Sequence, residues 1–364
     1  MDRRQFLRVI GGASVGLVGA ACGGQGQAGL PGRDGAPWFQ TRAVMLGEGE
    51  LRAMDWPAAA ARLGLNILDL TYLAPSWLRA TELGRRTVAD CTRHGIGFEY
   101  GFHVCSWALP RDLFADNPEL FRMNEDGQRT PDANLCVSAP RALEIAGERM
   151  ASYVAPLKST TGRYFFWIDD GQPMCRCPQC RGLSDSDQAL VLVNSLLKAV
   201  RTVDPAARLC HLAYTRTLRP PTQVRPEPGI FLQFAPIERT FERPLSDRAA
   251  RLVPGYPTHG ELLDHLDGNL EWFGADGADV LEYWLDNSRF SGWKRENVRR
   301  VPWNREVFRD DLRTYAQRGI RHVRTYAFWY DRDYLARFGE PPVDEYAADL
   351  CRWRDVGGRP VSGV

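Results

Sequence analysis

Short apolar runs rich in β-branched and aromatic residues alternate along the chain with longer stretches whose apolar positions recur every three or four residues. The runs are RAVML (42–46), NILDLTY (66–72), IGFEYGFHV (96–104), RYFFWID (163–169), RLCHLAYT (208–215), GIFLQFAP (229–236), DVLEYWLD (279–286) and RHVRTYAFWY (321–330). Several are apolar at nearly every position, as strands covered on both faces are. Helical spacing marks WPAAAARLG (56–64), TELGRRTVADCTRHG (81–95), APRALEIAGERMASYVAPL (139–157), DSDQALVLVNSLLKAVRTV (185–203), WNREVFRDDLRTYAQRG (303–319) and PPVDEYAADLCRW (341–353). The stretch at 185 starts on acidic capping residues and ends before Pro205, and the one at 81 ends on Gly95.

Strands alternating with helices predict a parallel sheet, and eight such units predict an α/β fold of the (β/α)8 TIM-barrel type, typically about 250 residues plus insertions. The connection RTLRPPTQVRPEP (216–228) breaks the pattern, because it carries no helical period. No internal repeat and no second boundary interrupts the chain after residue 37, so 38–358 reads as one barrel domain.

The first residues read as an address. MDRRQFLRVIGGASVGLVGAAC (1–22) places Arg3-Arg4 before Phe6-Leu7, then a weakly apolar stretch, then small residues and Cys22. That is the grammar of a twin-arginine export signal. The apolar part is too short and too glycine-rich for a membrane span. Cys22 after Gly19-Ala20-Ala21 resembles a lipoprotein box, although Gly19 stands where that pattern prefers a larger aliphatic residue. The expectation is export to the cell envelope with a lipid on Cys22 as the only membrane link, or cleavage near Ala21 and secretion. Residues 23–37 are rich in glycine and proline and read as a flexible linker.

Composition adds an exclusion. The 364 residues carry a formal net charge of +1, with 44% hydrophobic and 25% charged positions, so no basic field supports nucleic-acid binding. The eleven tryptophans are many for this length, and some are expected to line a pocket as well as pack a core. Oligomeric state is not legible.

Active sites of such barrels gather at the C-terminal strand ends. Those ends hold His103 with Trp107, then Asp169-Asp170-Gly171, then His211 and Tyr214, then Glu238, then Glu282, Tyr283, Trp284 and Asp286, then Tyr326, Trp329, Tyr330 and Asp331. Acids and aromatic rings together suit carbohydrate chemistry, since sugars offer apolar faces for stacking and hydroxyls for hydrogen bonds. Hydrolysis of a glycoside usually needs two carboxylates, about 5–5.5 Å apart for retention and about 6.5–9.5 Å for inversion. One arrangement takes Asp170 as acid and Glu282 as nucleophile or base. The other pairs Asp169 with Asp170, one orienting a substrate amide that attacks the anomeric carbon. Neighbouring strand residues face opposite ways, so Glu282 reaches the pocket only if Tyr283 faces the helices. His103, Trp107, Tyr214, Tyr283, Trp284 and Trp329 are candidate sugar contacts. His211 reads as core, and His259 and His265 as surface. No H-E-x-x-H, P-loop, dinucleotide fingerprint or G-x-S-x-G elbow occurs.

Cys175, Cys177 and Cys180 form a dense C-x-C-x-x-C, with Cys136 upstream. The four could wrap one structural zinc or form two disulfides. Four thiolates leave no open position, so catalysis is expected to need no cofactor, and a cysteine-based metalloenzyme is the less favoured reading.

NLCVSAP (134–140), WIDDGQPMCRCPQC (167–180), HLAYTRTLRPP (211–221), QFAPIER (233–239) and EYW (282–284) together resemble the DUF4838 family of bacterial domains over roughly residues 95–350. That family is grouped with glycoside-hydrolase-type barrels and is distantly similar to α-glucuronidases and β-hexosaminidases. It commonly reads Asn-Asp where this chain has Asp169-Asp170, which implies Asp170 as the essential acid, and it carries an acid before tyrosine as in Glu282-Tyr283. The expectation is an exported glycoside hydrolase acting on a glycan. The alternative is a cell-surface barrel that binds glycans without cleaving them.

Overall fold

The computed structural model describes residues 36–354; the expected export signal, Cys22 and nearly all of the expected linker lie outside the described residues. Eight parallel strands close into a barrel in sequence order: β1 (Thr41–Met45), β2 (Ile67–Asp69), β3 (Gly97–His103), β4 (Arg163–Trp167), β5 (Arg208–Ala213), β6 (Ile230–Phe234), β7 (Asp279–Glu282) and β8 (His322–Tyr326), with β8 paired back onto β1. Seven lie within their apolar runs, and β1 begins one residue before its run, at Thr41. The expected (β/α)8 barrel is the fold.

Helices start and stop where local chemistry dictates. Asp185–Val200 opens on a capping box in which the Ser184 hydroxyl and the Asp187 carboxylate serve each other's backbone N–H. Glu82–His94 is capped by Thr81 and ends at Gly95 in the left-handed conformation. The break after β5 is real: only a short 3-10 turn, Thr215–Thr217, precedes β6. The Asp187 carboxylate fixes this connection by accepting the backbone N–H of Thr222 (3.0 Å), Gln223 (2.9 Å) and Val224 (2.8 Å). Those bonds and that of Ser184 outweigh the cost of burial and hold Asp187 below the usual carboxylate range. The same helix packs on both β5 and β6, and His259–Phe273 also packs on β6.

The barrel interior is charged at mid-height. Arg324 of β8 reaches Asp69 of β2 (2.5 Å), Glu99 of β3 (2.7 Å) and Asp279 of β7 (2.8 Å), all with fully buried side chains. Arg163 of β4 adds a 3.2 Å pair to Asp279, and Trp167 closes the set through Gln233 at 2.8 Å. The Arg324 guanidinium lies 3.9 Å from the Phe165 ring centroid. Burial still pushes the Asp69 carboxyl up, against the pull of Arg324. Met45, Phe165, Trp167, Leu212 and Leu281 belong to an apolar cluster inside the barrel. Gly101 permits the close approach of β3 to β4, since a Cβ there would stand 1.9 Å from the Phe165 carbonyl oxygen.

Candidate active site

Strand alternation carries a set of aromatic side chains up to the C-terminal mouth. The His103 ring of β3 lies 5.1 Å from that of Trp167 of β4, tilted by 57°, and Tyr72, just past β2, stands 6.4 Å from His103, 6.3 Å from Trp167 and 6.4 Å from Phe328. Tyr283, just past β7, stacks on Tyr326 of β8 at 4.9 Å and 14°. Tyr214 and Tyr283 belong to the inner cluster, with Tyr72 and Tyr326 packed against it. Tyr72 holds a left-handed backbone, φ 69°, which costs a bulky residue strain and is a common mark of a functional position. His103 Nδ1 sits 2.6 Å from the Ile168 carbonyl oxygen and donates to it.

Two carboxylates accompany these rings. Asp170 is half-buried where the chain turns past β4, and Gly171 makes that turn with φ 62°. Asp286 caps the short helix Asn287–Phe290. Its Oδ1 accepts from Ser288 N (3.0 Å), Ser288 Oγ (2.5 Å) and Arg289 N (3.2 Å). Burial outweighs those bonds and pushes Asp286 up to about 6. Burial first, then the charges of Tyr214, Asp286, Asp170 and Tyr72, push the Tyr283 phenol well up. Glu238, half-buried beyond β6, is a third acid, and burial raises it too. Arg289 fixes its backbone by donating to the Ile237 and Arg239 carbonyls, each at 2.9 Å.

Several expected site residues lie elsewhere. Asp169 does not share the mouth with Asp170, because its oxygens are consumed behind it by Ser106 N (3.0 Å), Ser106 Oγ (2.5 Å), Asn134 N (2.8 Å) and Arg111 (3.4 Å). It ties the loops after β3 to the end of β4. Glu282 faces the helices and Tyr283 faces in, the reverse of the parity a catalytic Glu282 requires. Glu282 is fully buried against Arg239 (3.0 Å) and the Tyr315 hydroxyl. Trp284 shares that outer layer, donating to Asp311 at 2.9 Å. Trp107 packs outside the sheet on Phe102 and Tyr153, beneath Arg149. Trp329 is half-buried past β8, with Arg295 4.5 Å from its ring centroid. His211 is core as expected, whereas His259 is buried and not a surface residue, its Nδ1 donating to Pro244 O at 2.8 Å.

Tyr72 and the choice of Asp286 were missed. Tyr72 ends an apolar run and carries no motif. Asp286 lies four residues beyond Glu282, and periodicity alone does not say which acid of DVLEYWLD turns inward. A groove of about 740 Å³ lined by Arg52, Glu82, Arg86 and Asp331 lies apart from the rings and from Asp170 and Asp286.

Behind Asp170, the sulfurs of Cys136, Cys175, Cys177 and Cys180 are buried and lie within 4.8 Å of one another, a set that could hold a metal ion. Cys136 stands 3.7 Å from Cys177 and 3.9 Å from Cys180, too far for a disulfide bond of about 2.05 Å.

The profile of a family described as a domain of unknown function, DUF4838, matches residues 46–255. No curated protein matches the chain. Among solved structures, a β-galactosidase from the psychrophilic Marinomonas ef1 is 10% identical with a TM-score of 0.50, over 86% of this chain and 58% of that one. A broad-specificity endoglucanase from an uncultured bacterium is 11% identical with a TM-score of 0.44, over 84% of this chain and 86% of that one. A glycoside hydrolase family 5 enzyme from Prevotella bryantii, in complex with a xyloglucan tetradecasaccharide, is 10% identical with a TM-score of 0.46, over 88% and 99%. At such identities the likeness is one of fold.

Proposed function

We propose, from the premise that the chain belongs to the DUF4838 family, that it hydrolyses a glycosidic bond at the barrel mouth with Asp170 and Asp286 as the carboxylate pair. What supports this is that Asp170, past β4, and Asp286, past β7, both follow the C-terminal ends of strands beside the inner aromatic cluster that holds Trp167, Tyr214 and Tyr283. Asp286, raised to about 6, suits the proton donor, because a general acid must keep its proton near the working pH. Asp170, the more exposed, then serves as nucleophile or base. This exchanges the role expected of Asp170 and replaces Glu282. Tyr72, His103, Tyr214 and Tyr283 supply faces and hydrogen bonds for a sugar. The resemblance to hexosaminidases and glucuronidases directs the search for substrate to N-acetylated or uronic sugars.

The pH–rate profile tests the assignment. The fraction of Asp286 that is protonated falls as pH rises through about 6, so kcat/KM is expected to decline on the alkaline side with that apparent pKa. Asp286→Asn should lose about 10²–10⁴-fold on substrates with poor leaving groups and less on aryl glycosides, whose leaving group needs no proton. An alkaline limb unchanged in Asp286→Asn would remove the donor role.

Export by the twin-arginine route with a lipid on Cys22 belongs to the same proposal, supported by Arg3-Arg4 and the small residues before Cys22. Cys22→Ala is expected to move the protein from the membrane fraction to the soluble one. A wild-type protein that fractionates as soluble would reject the anchor.

A further inference from the structure

We propose that Cys136, Cys175, Cys177 and Cys180 bind one zinc ion as four thiolates, and that this ion is a structural clamp behind the mouth. Zinc–sulfur bonds of about 2.3 Å in a tetrahedron set the sulfurs about 3.8 Å apart. The Cys136–Cys177 and Cys136–Cys180 separations, 3.7 and 3.9 Å, match that edge. A pair of disulfides would bring two of the contacts to about 2.05 Å, and none of the four is so bonded.

The surroundings suit thiolates. Cys175 Sγ accepts from Met123 N at 3.3 Å and lies 3.7 Å from Arg129 Nη1. The Ser138 hydroxyl lies 3.1 Å from Cys136 Sγ and 3.4 Å from Cys177 Sγ. A zinc ion with four thiolates carries a net double negative charge, which Arg129 and these donors offset. Binding displaces one proton from each thiol to solvent. All four positions are filled by sulfur, so no site remains for water or substrate and the ion does no chemistry.

Position gives the ion its role. Cys136 lies two residues after Asn134, which donates its backbone N–H to Asp169 at 2.8 Å and its amide to Pro173 O at 3.0 Å. Cys175 N is held by Gln188 Oε1 at 3.1 Å. The ion therefore ties the segment around residue 136 to the loop that Asp170 begins. This inference stands whether or not the mouth cleaves glycosides.

The test is metal analysis of the wild-type protein purified without added metal or chelator. About one zinc per chain is expected, with the four thiols shielded from alkylation until the ion is removed. Growth on cobalt should give thiolate-to-cobalt charge-transfer absorption and the visible bands of a tetrahedral ion, a readout that needs no variant. Cys177→Ser should lower metal content and melting temperature together. Metal-free protein would overturn the proposal, whether it has four freely alkylated thiols or a mass reduced by four hydrogens from two disulfides.

Discussion

Asp170→Asn is expected to lower kcat/KM by about 10²–10⁴-fold on any glycoside the wild type cleaves, with little change in melting temperature. The side chain is half-buried at the turn past β4, so its amide replaces the carboxylate without opening a core. Glu282→Gln is the informative contrast. Glu282 is fully buried against Arg239 and Tyr315, on the helix side of β7. Removing its charge leaves Arg239 with Asp311 alone at 2.7 Å. Burial outweighs the pull of Arg239 and pushes the Glu282 carboxyl up to about 7, so the fold already favours its neutral form. The melting temperature should therefore change little with the neutral Gln, and turnover should be kept. Rates normalised to folded protein, with a thermal melt of each variant, separate the two. Equal rate losses at unchanged melting temperature would return Glu282 to the mouth.

Arg324→Met should produce the largest loss of stability. The guanidinium faces Asp69, Glu99 and Asp279 inside the barrel, where all side chains are fully buried. Arg163 stays close to Asp279 and Glu99, but Asp69 loses its cation outright. An unpaired buried charge costs about 3–5 kcal/mol, on the order of a 10 °C fall in melting temperature for a chain of this size. The pH dependence carries a signature. With Arg324 gone, the carboxyls left inside have folded-state pKa values raised above their unfolded ones. The folded variant then binds more protons than the unfolded chain, so its stability rises as pH falls through that window. The gap between wild type and variant should narrow toward acid pH. Denaturant unfolding at several pH values checks this, and a gap that widens toward acid would contradict it.

The strands were legible because both faces of each are covered, which makes nearly continuous apolar runs such as RYFFW and IFLQF. That same continuity hid the facing of individual residues. In DVLEYWLD either Asp279-Leu281-Tyr283 or Val280-Glu282-Trp284 could face inward, and each set offers an acid and a ring. What chooses the first set is long-range: Asp279 meets Arg324, 45 positions along the chain. The interior acids Asp69 and Glu99 escaped notice for the same reason, since their partner is visible only once the barrel closes. Trp107 and Trp284 looked like sugar platforms because tryptophan at a strand end can either stack on a ligand or pack a helix. Here they meet Tyr153 and Phe308. The cysteine cluster was legible from its spacing, and the (β/α)8 order survived the missing helix after β5 because Asp187 holds that connection in its place.

The measurement that tests the central claim most directly is hydrolysis of a panel of aryl glycosides and glycan oligomers, N-acetylhexosaminides and glucuronides included, by wild type, Asp170→Asn and Asp286→Asn side by side. The account predicts cleavage of at least one member by the wild type, lost in Asp170→Asn and weakened in Asp286→Asn, with all three proteins folded. Glycans bound and recovered intact by the wild type, or cleavage that survives both substitutions, would contradict it.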